Sequence, residues 1–273
     1  MNPTNQHDDD KPVGHVLTRR EVLTLLGGAG AAALVGTGFS RLGLTQLAGT
    51  STPSPLAEST ESVPACIVQP ALTEGPYFVD QMLNRSDIRV EPLDGSISEG
   101  IQLRLVFRVS QIGAACTPLE GAQVDVWHCD ALGIYSDVKD MNARFDTSGK
   151  TFLRGYQLTD ETGKAEFITI YPGWYQGRTP HIHFKIRTDP ASHQGYEFTS
   201  QLFFDDDFSD KIYAQEPYSA KTGRRTRNDS DGIFRDGGDQ LTLQLVAAEK
   251  EEDGYVATFD IGLNTSESTP KSA

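Results

Sequence analysis

The side chains best placed for chemistry in this 273-residue chain are two histidines, His181 and His183, in the run His-Ile-His-Phe-Lys-Ile-Arg at 181–187. In a β-strand successive side chains point to opposite faces. His181 and His183 therefore share a face, with Cα atoms about 7 Å apart, while Ile182, Phe184 and Ile186 take the other. Two imidazoles so placed suit one metal ion. The bland alternative is a polar strand facing solvent. Lys185 and Arg187 continue the histidine face, which is expected to be wet or ionic rather than core. Two imidazoles do not complete a site. The sequence holds no HExxH and no CxxC pair, and no carboxylate stands at facial-triad spacing from either histidine. The remaining donors must come from elsewhere.

The elements that would position these groups read as short strands. Ile101, Leu103, Leu105, Phe107 and Val109 alternate with mostly polar residues, the pattern of a half-buried strand. Further runs lie at 122–128, 151–158, 165–171, 181–187, 198–204, 240–247 and 255–261. Asp160-Glu161-Thr162-Gly163 reads as a hairpin-type turn between the runs on either side of it. No long amphipathic helix or internal repeat stands out. Eight or so strands predict a mainly β fold, an antiparallel β-sandwich or barrel with long loops and little helix. The charged, glycine-bearing stretch 205–239 is expected to be a functional or edge loop with a short helix. Residues 171–180 contain two prolines, two glycines and aromatics, a shaped loop leading straight into the histidine strand.

Composition sets the boundaries. Hydrophobic residues make up 37% and charged residues 23%, as in a soluble globular protein. The net charge is −14, and the first 41 residues hold four basic and four acidic groups, so the whole excess lies downstream. A body that acidic disfavours nucleic acid as a partner. Thr18-Arg19-Arg20-Glu21-Val22-Leu23 is a twin-arginine pattern, followed by 19 uncharged residues, Val22 to Ser40, five of them glycine. Residues 1–45 thus read as a twin-arginine export signal, with a periplasmic or extracellular destination. A permanent membrane tether is the alternative, since 19 residues could just span, but glycine weakens such a helix. Residues 46–63 read as a linker, 64–263 as one folded domain, and 264–273 as a frayed tail. Export permits disulfides, and three cysteines leave at least one unpaired within the chain. Cys129 follows His128 in an apolar run and reads as a buried small hydrophobe, so Cys66–Cys116 is the preferred bridge. An oligomer is compatible with the sequence.

Four separated stretches then carry a resemblance. Leu72–Asp80 (LTEGPYFVD) with Arg85–Arg89 (RSDIR), Trp127–Asp137 (WHCDALGIYSD), Thr169–Ile186 (TIYPGWYQGRTPHIHFKI) and Phe198–Phe204 (FTSQLFF) occur in the order seen in the intradiol ring-cleavage dioxygenases. Together they make residues 64–250 similar to that family, which includes protocatechuate 3,4-dioxygenase and catechol 1,2-dioxygenase. The likeness is greatest to smaller exported members, without the N-terminal helical region of the catechol enzymes. The resemblance implies a catalytic β-sandwich that holds non-haem Fe(III) through Tyr135, Tyr175, His181 and His183. It implies Arg178 and Gln201 as further catalytic residues, and an aromatic diol and O2 as substrates. PGWY stands where the protocatechuate enzymes have PGPY, which bears on the substrate pocket rather than the metal donors. Hard phenolate oxygens suit an oxidised, trivalent ion. In the family the second tyrosine, here Tyr175, takes up a substrate proton, and Arg178 would stabilise negative charge on the ring. The competing reading is a non-catalytic β-sandwich binding module with an HxH metal site. A hydrolase has no support, since GxSxG and motif-placed paired carboxylates are absent.

Overall fold

The computed structural model describes residues 66–265, apart from 114, 140–144, 192–194 and 224. The export segment 1–45, the linker 46–63 and the tail from 266 lie outside the described residues, as does His193. Nine strands follow in chain order: β1 (Gln102–Gln111), β2 (Thr117–Pro118), β3 (Gln123–Trp127), β4 (Arg154–Leu158), β5 (Lys164–Ile170), β6 (His181–Arg187), β7 (Glu197–Phe203), β8 (Leu245–Ala247) and β9 (Tyr255–Leu263). They form two sheets. One runs β2-β1-β9-β8, with β5 also paired to β1; the other runs β4-β3-β6-β7.

The core lies between them. Leu103, Leu105, Phe107, Phe167, Phe259 and Ile261 of the first sheet meet Val124, Val126, Ile182, Phe184, Ile186 and Leu202 of the second, all buried. Phe184 packs on Phe107 and on Phe259, each with ring centroids 5.3 Å apart. Each such side chain contributes about 1.5–3 kcal/mol by leaving water, which fixes which face of β6 turns inward. The opposite face then carries His181, His183, Lys185 and Arg187.

The β-sandwich is as expected, with three corrections of detail. The sheets are not wholly antiparallel, because β1 and β9 pair in parallel from Leu103↔Tyr255 to Gln111↔Leu263. The 160–163 turn closes, with Gly163 N–H donating to Asp160 O at 2.8 Å. Its arms, however, pair with different partners, β4 with β3 and β5 with β1, so it is a corner between sheets. The run 240–247 is a strand only from Leu245. Upstream, Gly237 adopts φ +107° and Gly238 packs on the Phe203 ring, which bends the chain into a 3-10 turn.

The stretch 205–239 holds two helices, α1 (Asp206–Tyr213) and α2 (Gly232–Arg235). Their N-terminal amides are capped by Asp205 and Asp231. Cys66 and Cys116 are bridged, with Cα atoms 5.6 Å apart, and Cys129 is buried and free, both as read from the sequence.

Candidate metal and active site

The histidine face of β6 is not wet. All seven residues of the strand are buried, because the chain from Leu72 to Arg85 lies across this face as a roof. Leu72 N–H bonds to Thr199 O at 3.0 Å, and Arg85 N–H to Tyr156 O at 3.1 Å. The expectation of an ionic face does hold. Lys185 pairs with Glu74 and with Glu197 (3.0 Å), and Arg187 with Asp80 (2.6 Å) and Asp125 (2.8 Å). Phe78 of the roof lies 4.1 Å from the Lys185 ammonium and packs on Trp127. Strand alternation says which side chains share a face; it does not say what covers them.

Register supplies one row of the site. Arg154, Trp127, His183 and Gln201 are direct cross-strand partners on β4, β3, β6 and β7, so their side chains stand side by side on the roofed face. Trp127 stacks flat on the His183 ring, with centroids 5.0 Å apart and planes 9° from parallel.

The two tyrosines arrive on loops that cross. Asp130 builds the first, its Oδ1 accepting from Leu132 N and Ile134 N, each at 2.9 Å. This turn ends at Tyr135. The second loop, 171–180, docks on it through Gly173 N–H to Asp130 O at 3.0 Å. Two glycines permit the crossing. A Cβ on Gly133 (φ +81°) would fall 2.1 Å from Trp174 O, and one on Gly173 would fall 2.3 Å from Asp130 O. The result sets the Tyr135 and Tyr175 rings edge to face, 5.9 Å apart.

Donor atoms converge here. His181 Nε2 lies 3.1 Å from Tyr175 Oη and 3.1 Å from His183 Nε2. His181 Nδ1–H donates to Thr179 O at 2.6 Å, which leaves the Nε2 lone pair facing the cluster. Tyr135 Oη is buried with no hydrogen-bond partner, as is His183 Nδ1. A buried phenol left unpaired costs about 1–3 kcal/mol, so the cluster is short of one central partner. Burial drives both histidines well below their usual pKa, the Arg178 guanidinium adding to the effect, and they are neutral. Burial raises both phenols, although Arg178 pulls Tyr175 partly back. Without a cation the cluster is therefore two phenols and two neutral imidazoles. A hard trivalent ion would displace both phenol protons, and two oxygens with two nitrogens fit such an ion.

Arg178 and Gln201 lie beside the cluster and bind each other. Arg178 Nη2 donates to Gln201 Oε1 at 2.6 Å, and Gln201 Nε2 donates to Thr73 O of the roof at 2.8 Å. Gln201 thus holds Arg178 in place. All six residues singled out in the sequence meet in one region. Sequence reasoning missed Asp231, which is 1% exposed. Its Oδ2 accepts from Arg178 Nε (2.9 Å) and Thr179 N (2.8 Å), while its Oδ1 caps α2 at Ile233 N and Phe234 N. A short helix within 205–239 was expected, but the reach of its capping aspartate back 53 residues to Arg178 has no sequence signal. Tyr77 of the roof stacks on Tyr135 with centroids 4.5 Å apart. His128 is structural, held between Cys129 O (2.8 Å) and Thr169 Oγ1 (2.6 Å). A cavity of about 540 Å³ opens beside the cluster, lined by Tyr77, Tyr135, Phe145, Trp174, Tyr175 and Lys221 among others.

Comparison with known proteins is consistent with this geometry. Residues 73–264 match the family Dioxygenase_C, described as dioxygenase. A catechol 1,2-dioxygenase of Candida albicans is 32% identical over 166 residues, 51% of this chain and 49% of that protein, so the chain spans about half its length. Among solved structures, an intradiol ring-cleavage dioxygenase from Tetranychus urticae is 31% identical, with a TM-score of 0.64 over 75% of this chain and 98% of that one. The dioxygenase domain of a dioxygenase–carbohydrate-binding fusion from Streptomyces sp. SirexAA-E is 27% identical, with a TM-score of 0.51 over 73% and 99% of the two chains. A family match across most of the described residues, and a solved relative matched over nearly its whole length, make this chain a member of the dioxygenase family, among the intradiol ring-cleavage enzymes.

Proposed function

We propose that Tyr135, Tyr175, His181 and His183 hold one non-haem ferric ion, and that the protein cleaves a catechol-type diol with O2. The ring bond between the two hydroxylated carbons breaks, both oxygen atoms of O2 enter the product, and a cis,cis-muconate-type dicarboxylic acid results. The observation that carries this reading is the meeting of Tyr175 Oη, His181 Nε2 and His183 Nε2 at 3.1 Å contacts beside the orphaned Tyr135 Oη. The bound ion would supply a centre that takes the diol as its dianion and draws electron density from the ring.

The chain's own groups do the rest. Tyr175 Oη, at the cavity, accepts one diol proton, and the other leaves to solvent through the cavity. Arg178, held by Asp231 and Gln201, stabilises negative charge as it develops on the ring, an effect worth about 3–4 kcal/mol for comparable donors. Trp174 and Tyr77 shape an aromatic slot for a flat substrate. The cavity leaves room for a ring bearing substituents. As part of the same proposal, the chain leaves the cytoplasm by the twin-arginine route already folded and acts outside it.

The test is oxygen uptake by iron-loaded protein across a panel of catechols, with mass spectrometry of the products. The expected outcome is a burgundy protein, coloured by phenolate-to-ferric charge transfer, that forms muconate-type acids. A colourless protein under ample iron removes the metal assignment. A coloured protein that consumes no oxygen with any diol removes the catalytic one.

A further inference from the structure

We propose that Arg154 is a positioning residue for Tyr135, gripping that tyrosine's surroundings from two sides and setting a buried positive charge beside them; this rests on Tyr135 being an anionic metal donor. Arg154 opens β4 and is 3% exposed. Its Nε and Nη2 donate to Ser136 O at 3.2 and 2.7 Å, and Nε also donates to Ser136 Oγ at 2.9 Å. Ser136 directly follows Tyr135. The other arm, Nη1, donates to Tyr77 O at 2.6 Å, and the Tyr77 ring is stacked on Tyr135. One guanidinium therefore ties together the backbone after Tyr135 and the ring lying on its face.

The charge is the second observation. Every one of these acceptors is a neutral oxygen, and among the described residues no carboxylate stands within ion-pair distance of Arg154. Arg187 on the same roofed face is the control: it is equally buried and has two carboxylates, Asp80 and Asp125. A buried cation without an anion is unfavourable. It is also charged in use, since burial lowers its pKa only to about 10. Two groups act on it from beyond ion-pair distance, the Asp137 carboxylate and Tyr135, whose hydroxyl is buried without a partner. Arg154 occupies the same cross-sheet row as His183, so the strand register that presents the imidazole also presents this cation.

The experiment compares iron-loaded wild type with Arg154→Gln, which keeps hydrogen-bond donors but loses the charge, and with Arg154→Lys, which keeps the charge with fewer donors. The readouts are iron affinity by chelator competition, the position of the visible charge-transfer band, and thermal midpoint. Arg154→Gln is expected to lose at least tenfold in iron affinity and to shift the band, and Arg154→Lys to recover affinity to within about threefold of wild type. A folded Arg154→Gln protein with wild-type affinity and band overturns the proposal, and so does a Lys variant that behaves like Gln. If neither variant folds, Arg154 is a structural residue and the proposal is again overturned. Wild type with neither iron nor colour would instead remove the metal assignment on which it stands.

Discussion

Replacing Asp231 by Asn changes almost no volume and removes one charge. The carboxylate serves four N–H groups, two through each oxygen: Arg178 Nε and Thr179 N on one side, Ile233 N and Phe234 N on the other. A carboxamide has one oxygen. Whichever way it sits, its NH2 faces two donors. Breaking a buried charge pair from one side costs about 3–5 kcal/mol. Arg178 is 18% exposed and partly solvated, so about 2–4 kcal/mol is expected here. For a domain of about 200 residues each kcal/mol moves Tm by about 2–4 °C, which gives a fall of about 5–15 °C by calorimetry. Arg178 would keep its bond to Gln201 but lose the anchor at Nε. Misplacement of that order lowers turnover by up to about 10²-fold, with a smaller change in KM. A double-mutant cycle with Arg178→Met should show coupling of about 1–3 kcal/mol. An Asp231→Asn protein melting within 2 °C of wild type and turning over within twofold would refute the view that this carboxylate holds the guanidinium.

Four further outcomes follow from the same geometry. Tyr135→Phe should bleach the visible band and lower iron stoichiometry while raising the metal-free Tm by a few degrees, because the lost hydroxyl was buried without a hydrogen-bond partner; absorbance per iron and calorimetry check it. Arg178→Ala should keep the colour and cut kcat by about 10²-fold, measured by oxygen uptake. Burial lowers His128 from 6.5 to about 4, so its contribution is fully present above pH 6.5. As pH falls from there to 4 the unfolded chain takes up a proton that the folded one refuses, and about 3 kcal/mol is lost; urea midpoints against pH should show it, with a shallower fall in His128→Gln. Reducing Cys66–Cys116, 50 residues apart, should cost about 4 kcal/mol on the chain-entropy account, read as a lower Tm in dithiothreitol.

The histidine pair was legible because its geometry is local: two residues on one strand share a face by alternation alone. Tyr135 and Tyr175 sit on loops with no periodicity, and only the likeness of their surrounding motifs to a known family marked them. Asp231 and Arg154 were not legible. Each acts across a long separation, Arg154 reaching Tyr77 from 77 positions away, and nothing near either in sequence announces the partner. The misjudged wet face of β6 has the same origin, since its cover comes from a segment about 100 residues upstream. Strand positions were readable, but the direction of pairing between β1 and β9 was not, because the alternation of a strand is the same read either way.

The roof over the histidine strand has a consequence for the order in which the protein is made. Thr73 and Gln201 are tied together although 128 residues separate them, and the aspartate that steadies the arginine comes 30 positions later still. A nascent chain ending before Asp231 would have the imidazoles and their roof but not the steadied guanidinium. If the site holds the proposed ion, its final form would therefore need the chain made at least through Asp231.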